Sequence, residues 1–425
     1  MPRFAAFIAF AFVALVATPA CGGGKGVVTG EPSPSATATL AATPALTRTP
    51  EPTGTPAPTP TPASTPGPTE TASQLSLAFV RDGDIWMINA DGSGEHRLTY
   101  WGDLARYSGS FHWAPTGDMI AANRATLPSA LNPASDYKVS VIGLESETVL
   151  EIPGAQFVSW SPRGDLLAYS AGPLWDWKVV DLQGKEVLRL SDASWLMWSP
   201  DESKIAYGRI IDWNCIEPCA TPVMLDLTDG SVWEVDPLSR SAGSIGQGFS
   251  PDGRWLSYGS ALFDVATHEK RRLPGLAVSW SPDSRYLTLL LGEEFDRLVI
   301  YDVGKEEVVW EGDFIFPATD APPASTVQGT WSPDGSRFLY LGQGQLAEQP
   351  RQNVTRVVEV ATGRVETMSD VTWPIDISPG GQYIAYSTGG ELPRGGELWV
   401  VGMDGTGRAQ LAGGAYPKWR VVPGP

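Results

Sequence analysis

Histidine and cysteine are scarce: the 425 residues contain three of each. That leaves little material for a multi-ligand metal site. Bases are outnumbered, 30 Lys and Arg against 48 Asp and Glu, for a formal charge of −18. Nucleic acid and anionic membrane surfaces both require a basic footprint, so the composition argues against either as a partner. No Gly-x-Ser-x-Gly elbow occurs, which leaves a serine hydrolase without its nucleophile. No Gly-rich phosphate loop opens a helix, and the pattern points to no cofactor. The N-terminal apolar run, 4–17, has fourteen residues, fewer than the about 20 that span a bilayer as a helix.

What the sequence does contain falls into three parts: 1–20, 21–74 and 75–425. Arg3 followed by the apolar run has the form of a secretory signal. Ala20-Cys21 with Gly22-Gly23-Gly24 resembles the lipobox of bacterial lipoproteins, although Thr18 stands where that motif favours Leu. The resemblance implies that Cys21 carries a lipid and becomes the mature N-terminus. Its alternative is plain cleavage after Ala20 and a soluble secreted protein. The expected location is therefore the cell surface or periplasm, with the membrane touched through the lipid anchor alone.

Between 31 and 72 lie 11 Pro and 12 Thr and no aromatic residue. Such a segment cannot bury enough apolar surface to offset chain entropy and is expected to be disordered or polyproline II. Fully extended, residues 22–72 would reach about 160 Å. This proline-rich linker has the reach to lift a domain off a membrane.

From 75 onward one unit recurs. Its marker is an aromatic residue followed by Ser-Pro-Asp-Gly, as in Trp160-Ser161-Pro162, Trp198-Ser199-Pro200-Asp201, Trp280-Ser281-Pro282-Asp283 and Trp331-Ser332-Pro333-Asp334-Gly335. Looser copies begin at Trp113, Phe249 and Ile377, and a truncated one ends at Trp419. From Trp113 to Trp419 there are seven steps of about 44 residues, the length of a propeller blade. Ser, Pro, Asp and Gly suit successive positions of a type I turn, with Pro fixing φ at the second. Apolar strands flank each turn and no helical periodicity intervenes. The expectation is an all-β fold: a β-propeller of eight four-stranded blades, its ring closed by the C-terminal strand pairing into the first blade. Seven blades is the alternative, because the 31-residue step from Phe249 to Trp280 leaves a thin unit.

These copies, with Asp84-Ile85-Trp86-Met87-Ile88-Asn89-Ala90-Asp91-Gly92-Ser93-Gly94, resemble the TolB-type, WD-repeat-like bacterial propellers and the propeller of dipeptidyl peptidase IV-like proteins. The resemblance implies a noncatalytic, extracytoplasmic interaction or sensing domain. It is specific for fold and weak for function.

Three features bear on sites. The turn Asp is replaced by Thr116, Arg163 and Gly380 in three of seven copies while Pro persists in all seven. A turn requirement accounts for that better than metal coordination does. The repeated Trp is expected to pack blade against blade. Cys215 and Cys219 share one loop, and an exported location favours a disulfide there.

Loops after the second and fourth strands of each unit hold every long insertion, which marks one face as the elaborated one. It offers Trp101, Tyr107, Trp175, Trp177 and Trp213 among acids such as Asp103, Asp176 and Asp212. Aromatic plates with acidic acceptors suit glycans or basic peptides, and the competing expectation is that these rings pack their own loops. Three functions follow: a monomeric binding or scaffold lipoprotein for a protein or cell-wall glycan, an extracytoplasmic sensor domain, or, less favoured, a glycan lyase or hydrolase.

Overall fold

A computed structural model describes residues 72–104, 111–126, 136–171, 176–212, 219–236, 248–292, 297–313, 329–344, 352–371, 375–388 and 396–421. The signal segment, Cys21 and nearly all of the proline-rich linker lie outside them. A 3-10 turn, Ala72–Gln74, leads into the first strand.

The fold is an eight-bladed β-propeller, each blade a four-stranded antiparallel sheet with its strands in chain order. Blades one to seven occupy 111–153, 155–190, 193–234, 248–272, 276–313, 329–368 and 375–413. Blade eight is composite: the C-terminal strand Ala415–Trp419 is its first strand, joined to Ser76–Arg81, Asp84–Asn89 and His96–Arg97. Leu77 pairs with Trp419 and Ala78 with Lys418, and the Arg420 N–H donates to the Ser76 carbonyl at 2.9 Å. The two chain ends thus form one sheet, and closure removes an exposed edge. The thin unit is a complete blade: its strands, Gly248–Phe249, Trp255–Tyr258, Ala261–Asp264 and Lys270–Arg272, are short but all paired. Eight is therefore the count, and the seven-blade alternative falls.

First strands of neighbouring blades approach one another, as Phe111–Trp113 does Ala155–Trp160 and Ile375–Ile377 does Ala415–Trp419, which places the first strands around the axis. Fourth strands such as Lys270–Arg272 are exposed along their length. Second and third strands are buried on both faces, because each sheet is sandwiched between two others; Trp255–Tyr258 and Ala261–Asp264 are buried throughout. Second strands repeat an apolar-Ala-Tyr pattern, as in Leu167-Ala168-Tyr169, Ile205-Ala206-Tyr207 and Ile384-Ala385-Tyr386, with every Ala fully buried. Alternating small and large residues lets wedge-shaped blades converge without voids.

The repeated turn is held as the sequence implies. In blade six the Gly335 N–H donates to the Ser332 carbonyl at 2.8 Å, closing the turn. Ser332 Oγ accepts from the Arg337 N–H at 2.9 Å and donates to Asp334 at 2.6 Å. Burial works against the Asp334 carboxylate, and hydrogen bonds from Ser332 and Ser336 outweigh it, holding its pKa below 3.8. The turn Asp is thus an acceptor for its own turn. Gly335 sits at φ +68, a left-handed conformation that a side chain disfavours.

Candidate functional site

Connection lengths separate the two faces of the ring. First and second strands are joined by five residues in each of seven blades (114–118, 161–165, 199–203, 250–254, 281–285, 332–336 and 378–382). Connections on the opposite face range from one residue, Gly154, to fifteen, 314–328. The uniform face is set by the turn. The other is where the blades differ.

Several candidate residues of this second face have structural partners. Trp101 is half-buried, with the Arg124 guanidinium 4.4 Å from its ring centre. Its backbone N–H donates to the fully buried Asp84 at 2.5 Å. Asp103 receives Arg124 through two bonds, 2.7 and 3.0 Å, and Arg124 also reaches Glu151 at 3.1 Å. Trp101 and Asp103 therefore serve to fold their own loop back onto blade one.

Asp176 opens the third strand of blade two and takes Arg189 at 2.8 Å. Burial raises its pKa, and the Arg189 and Ser191 hydrogen bonds prevail, leaving it below 3.8. Trp177, 9% exposed, belongs to the core between blades two and three with Leu190 and Leu196. Asp212 is exposed and sits opposite Cys219 in strand register. Tyr107, Trp175, Trp213 and Cys215 lie outside the described residues, as does the Cys219 side chain, so the disulfide expectation falls there too.

Around the axis the repeated Trp has a second task besides packing. Trp113 Nε1 donates to the Lys418 carbonyl at 3.2 Å, and Trp160 Nε1 to that of His112 at 3.2 Å. Trp280 reaches Gly248 at 3.3 Å, Trp331 reaches Ser279 at 3.4 Å, and Trp419 reaches Asp376 at 3.1 Å. Every acceptor is the residue just before the marker aromatic of the preceding blade. Five indoles thus stitch neighbouring inner strands in the same register. Phe249 and Ile377 lack the donor, and Trp198 Nε1 has no partner among the described residues.

One rung is doubled. Besides the indole bond, the Trp419 backbone N–H donates to Asp376 Oδ2 at 2.7 Å. This clasp fastens the closing strand to blade seven. Protein surrounds the Asp376 carboxyl on nearly every side although some of its surface remains open; burial pushes its pKa up, with the Lys418 ammonium pulling the other way. The positions before each marker aromatic form a ring of eight: His112, Ser159, Met197, Gly248, Ser279, Thr330, Asp376 and Lys418. Sequence reading passed over Asp376. The repeat register was the available clue, because a carboxylate stands where no other blade carries an acid and only blade eight, with Lys418, carries a full charge. Chemically, this ring holds one carboxylate beside one ammonium and not a pair of carboxylates.

No family model matches the chain. A stretch of 208 residues is 24% identical to the uncharacterized protein Atu1656 of Agrobacterium fabrum (strain C58 / ATCC 33970), covering 39% of this chain and 69% of that one. Among solved structures, a eukaryotic initiation factor overlays 82% of this chain and 98% of its own with a TM-score of 0.51 at 15% identity. TolB from Acinetobacter baumannii covers 71% of this chain and 83% of its own at 18% identity, with a TM-score of 0.34. The likeness to the initiation factor is one of fold alone, and the TolB overlay is too loose to argue from.

Proposed function

We propose that the protein is a noncatalytic binding or scaffold module, exported and tethered to the membrane by a lipid on Cys21. Its variable face engages a protein or a cell-wall glycan. The observation that carries this is the contrast between the two faces: five-residue turns repeat unchanged on one, and connections of one to fifteen residues occur on the other. A scaffold held rigid by repeated turns, with variation confined to one rim, is how binding loops are displayed.

The test uses the full chain against immobilised cell-wall and membrane-protein fractions, compared with a Trp175→Ala, Trp213→Ala variant. Trp177 is left intact because its burial would confound binding with folding. Retention lost at unchanged melting temperature supports the proposal, and equal retention refutes the assignment to this face. Cys21→Ser should move the protein from the detergent phase to the aqueous phase, and no change would remove the lipid anchor.

A further inference from the structure

Lys270-Arg271-Arg272 has no counterpart in the chain: nowhere else in the 425 residues do two Lys or Arg adjoin. The three form the whole fourth strand of blade four, and all are exposed. That blade, 248–272, is also the one whose bases outnumber its acids, four against three, in a chain of formal charge −18. An edge opposite in sign to the rest of the ring needs a reason.

The strand is the outermost of its sheet and pairs on one side, Lys270 with Phe263, Arg271 with Leu262 and Arg272 with Ala261. On its flanks the inward bonds fall at 269 and 273: the Asp264 N–H donates to the Glu269 carbonyl at 2.9 Å, and the Leu273 N–H to the Ser260 carbonyl at 2.8 Å. Backbone bonds alternate along an antiparallel strand. The N–H and C=O groups of Lys270 and Arg272 therefore point outward, with no strand beyond them among the described residues.

The side chains fork to both faces of the sheet. Lys270 reaches Asp236, just after the last strand of blade three, at 2.8 Å. Arg271 reaches Glu306 of blade five at 3.1 Å and lies 4.5 Å from the Trp255 ring centre. Both bases stay exposed, and ion pairs of that kind hold weakly enough for an incoming anion to compete. Arg272 makes no ion pair or hydrogen bond of its side chain among the described residues. The other seven outer strands differ. Five carry acids, Ala409–Gly413 has no charge, and on His96–Arg97 the arginine is bound to the buried Asp84.

A linear polyanion lying along one face would meet Arg271 alone, or Lys270 and Arg272 without it. An extended peptide at the edge alternates its own side chains between the faces in step with these. Its backbone would also meet the outward N–H and C=O groups. Opposite charges directly across a strand pair attract, and like charges repel.

We propose that the outer edge of blade four takes an acidic, extended segment of a partner protein as a fifth strand. Three successive acids of that segment stand across from Lys270, Arg271 and Arg272. The acidic remainder of the ring repels such a segment, but at physiological ionic strength that repulsion is screened beyond about 8 Å. The proposal is independent of the variable face and gives the module a second surface.

The test follows the fluorescence anisotropy of a labelled peptide, Val-Thr-Glu-Glu-Glu-Thr-Val, titrated with the full chain at low and at physiological salt. Saturable binding is expected, weaker at the higher salt. Lys270→Glu combined with Arg272→Glu should weaken it at least about tenfold with the melting temperature unchanged. N-methylation of the first and third Glu removes the donors to the Lys270 and Arg272 carbonyls and should weaken binding to a similar degree. The proposal is overturned if the peptide does not saturate by about 1 mM, if the double variant binds it as wild type does, or if N-methylation changes nothing. Polyphosphate that displaces both peptides equally would make the edge a polyanion site and overturn the added strand. The Trp175→Ala, Trp213→Ala variant should bind the peptide like wild type; loss there would move the peptide to the variable face and sink this inference while leaving that reading intact.

Discussion

Removing the Asp376 carboxyl tests how the ring is fastened. Trp419 donates both its backbone N–H, at 2.7 Å, and its indole N–H, at 3.1 Å, to Asp376. Asp376→Ala deletes the first acceptor and leaves an inner-strand N–H without a partner, at a cost of about 1–3 kcal/mol. Asp376→Asn keeps an acceptor oxygen and removes the charge, so it should be neutral or stabilising near pH 7. The pH dependence has a definite sign. Burial raises the folded pKa of Asp376 above 3.8, so over that window the native state holds a proton that the unfolded chain releases. Stability from this group is present below 3.8 and is lost as pH rises through the folded pKa. Urea denaturation at pH 4 and pH 7.5 reads both effects. Wild type minus Asp376→Asn should be more favourable at pH 4, and Asp376→Ala should fall below Asp376→Asn at both. Equal stability of the Ala and Asn variants would refute the clasp.

Other outcomes follow from the same geometry. Trp331→Phe loses the bond to Ser279 together with part of the buried indole's packing, and should cost more than the about 1 kcal/mol of the bond alone by denaturant midpoint; no change would mean that this rung of the indole ladder does not contribute to stability. Gly117 has φ +70, and a Cβ there would collide with the Val421 carbonyl. Gly117→Ala should therefore destabilise by more than the roughly 1 kcal/mol of a compatible glycine change, seen as a lowered melting temperature. Trp177→Ala should cost about 3–5 kcal/mol, and a variant as stable as wild type would return that ring to the loop surface.

The repeated turn makes the fold legible in the sequence. Pro162, Pro200, Pro251, Pro282, Pro333 and Pro379 recur because the turn needs φ fixed at one position, and that constraint survives changes at the Asp beside it. Blade count was ambiguous because blade four reaches four strands with only two to four residues in each, close to the minimum for pairing. Trp177 illustrates a harder case. It stands beside a loop, and only the register of its strand, with Trp177 and Val179 both facing the core, separates a packing ring from a binding plate. The Asp376 clasp joins residues 43 positions apart. It depends on how adjacent blades stack, which no local pattern encodes.

Hydroxyl-radical footprinting of the full chain, with and without a cell-wall extract, tests the variable face most directly. Protection is predicted at connections after second and fourth strands, at Trp175 and Trp213. The turns 161–165, 199–203 and 332–336 should remain unprotected. Protection centred on those turns, with the variable loops unchanged, would contradict the account.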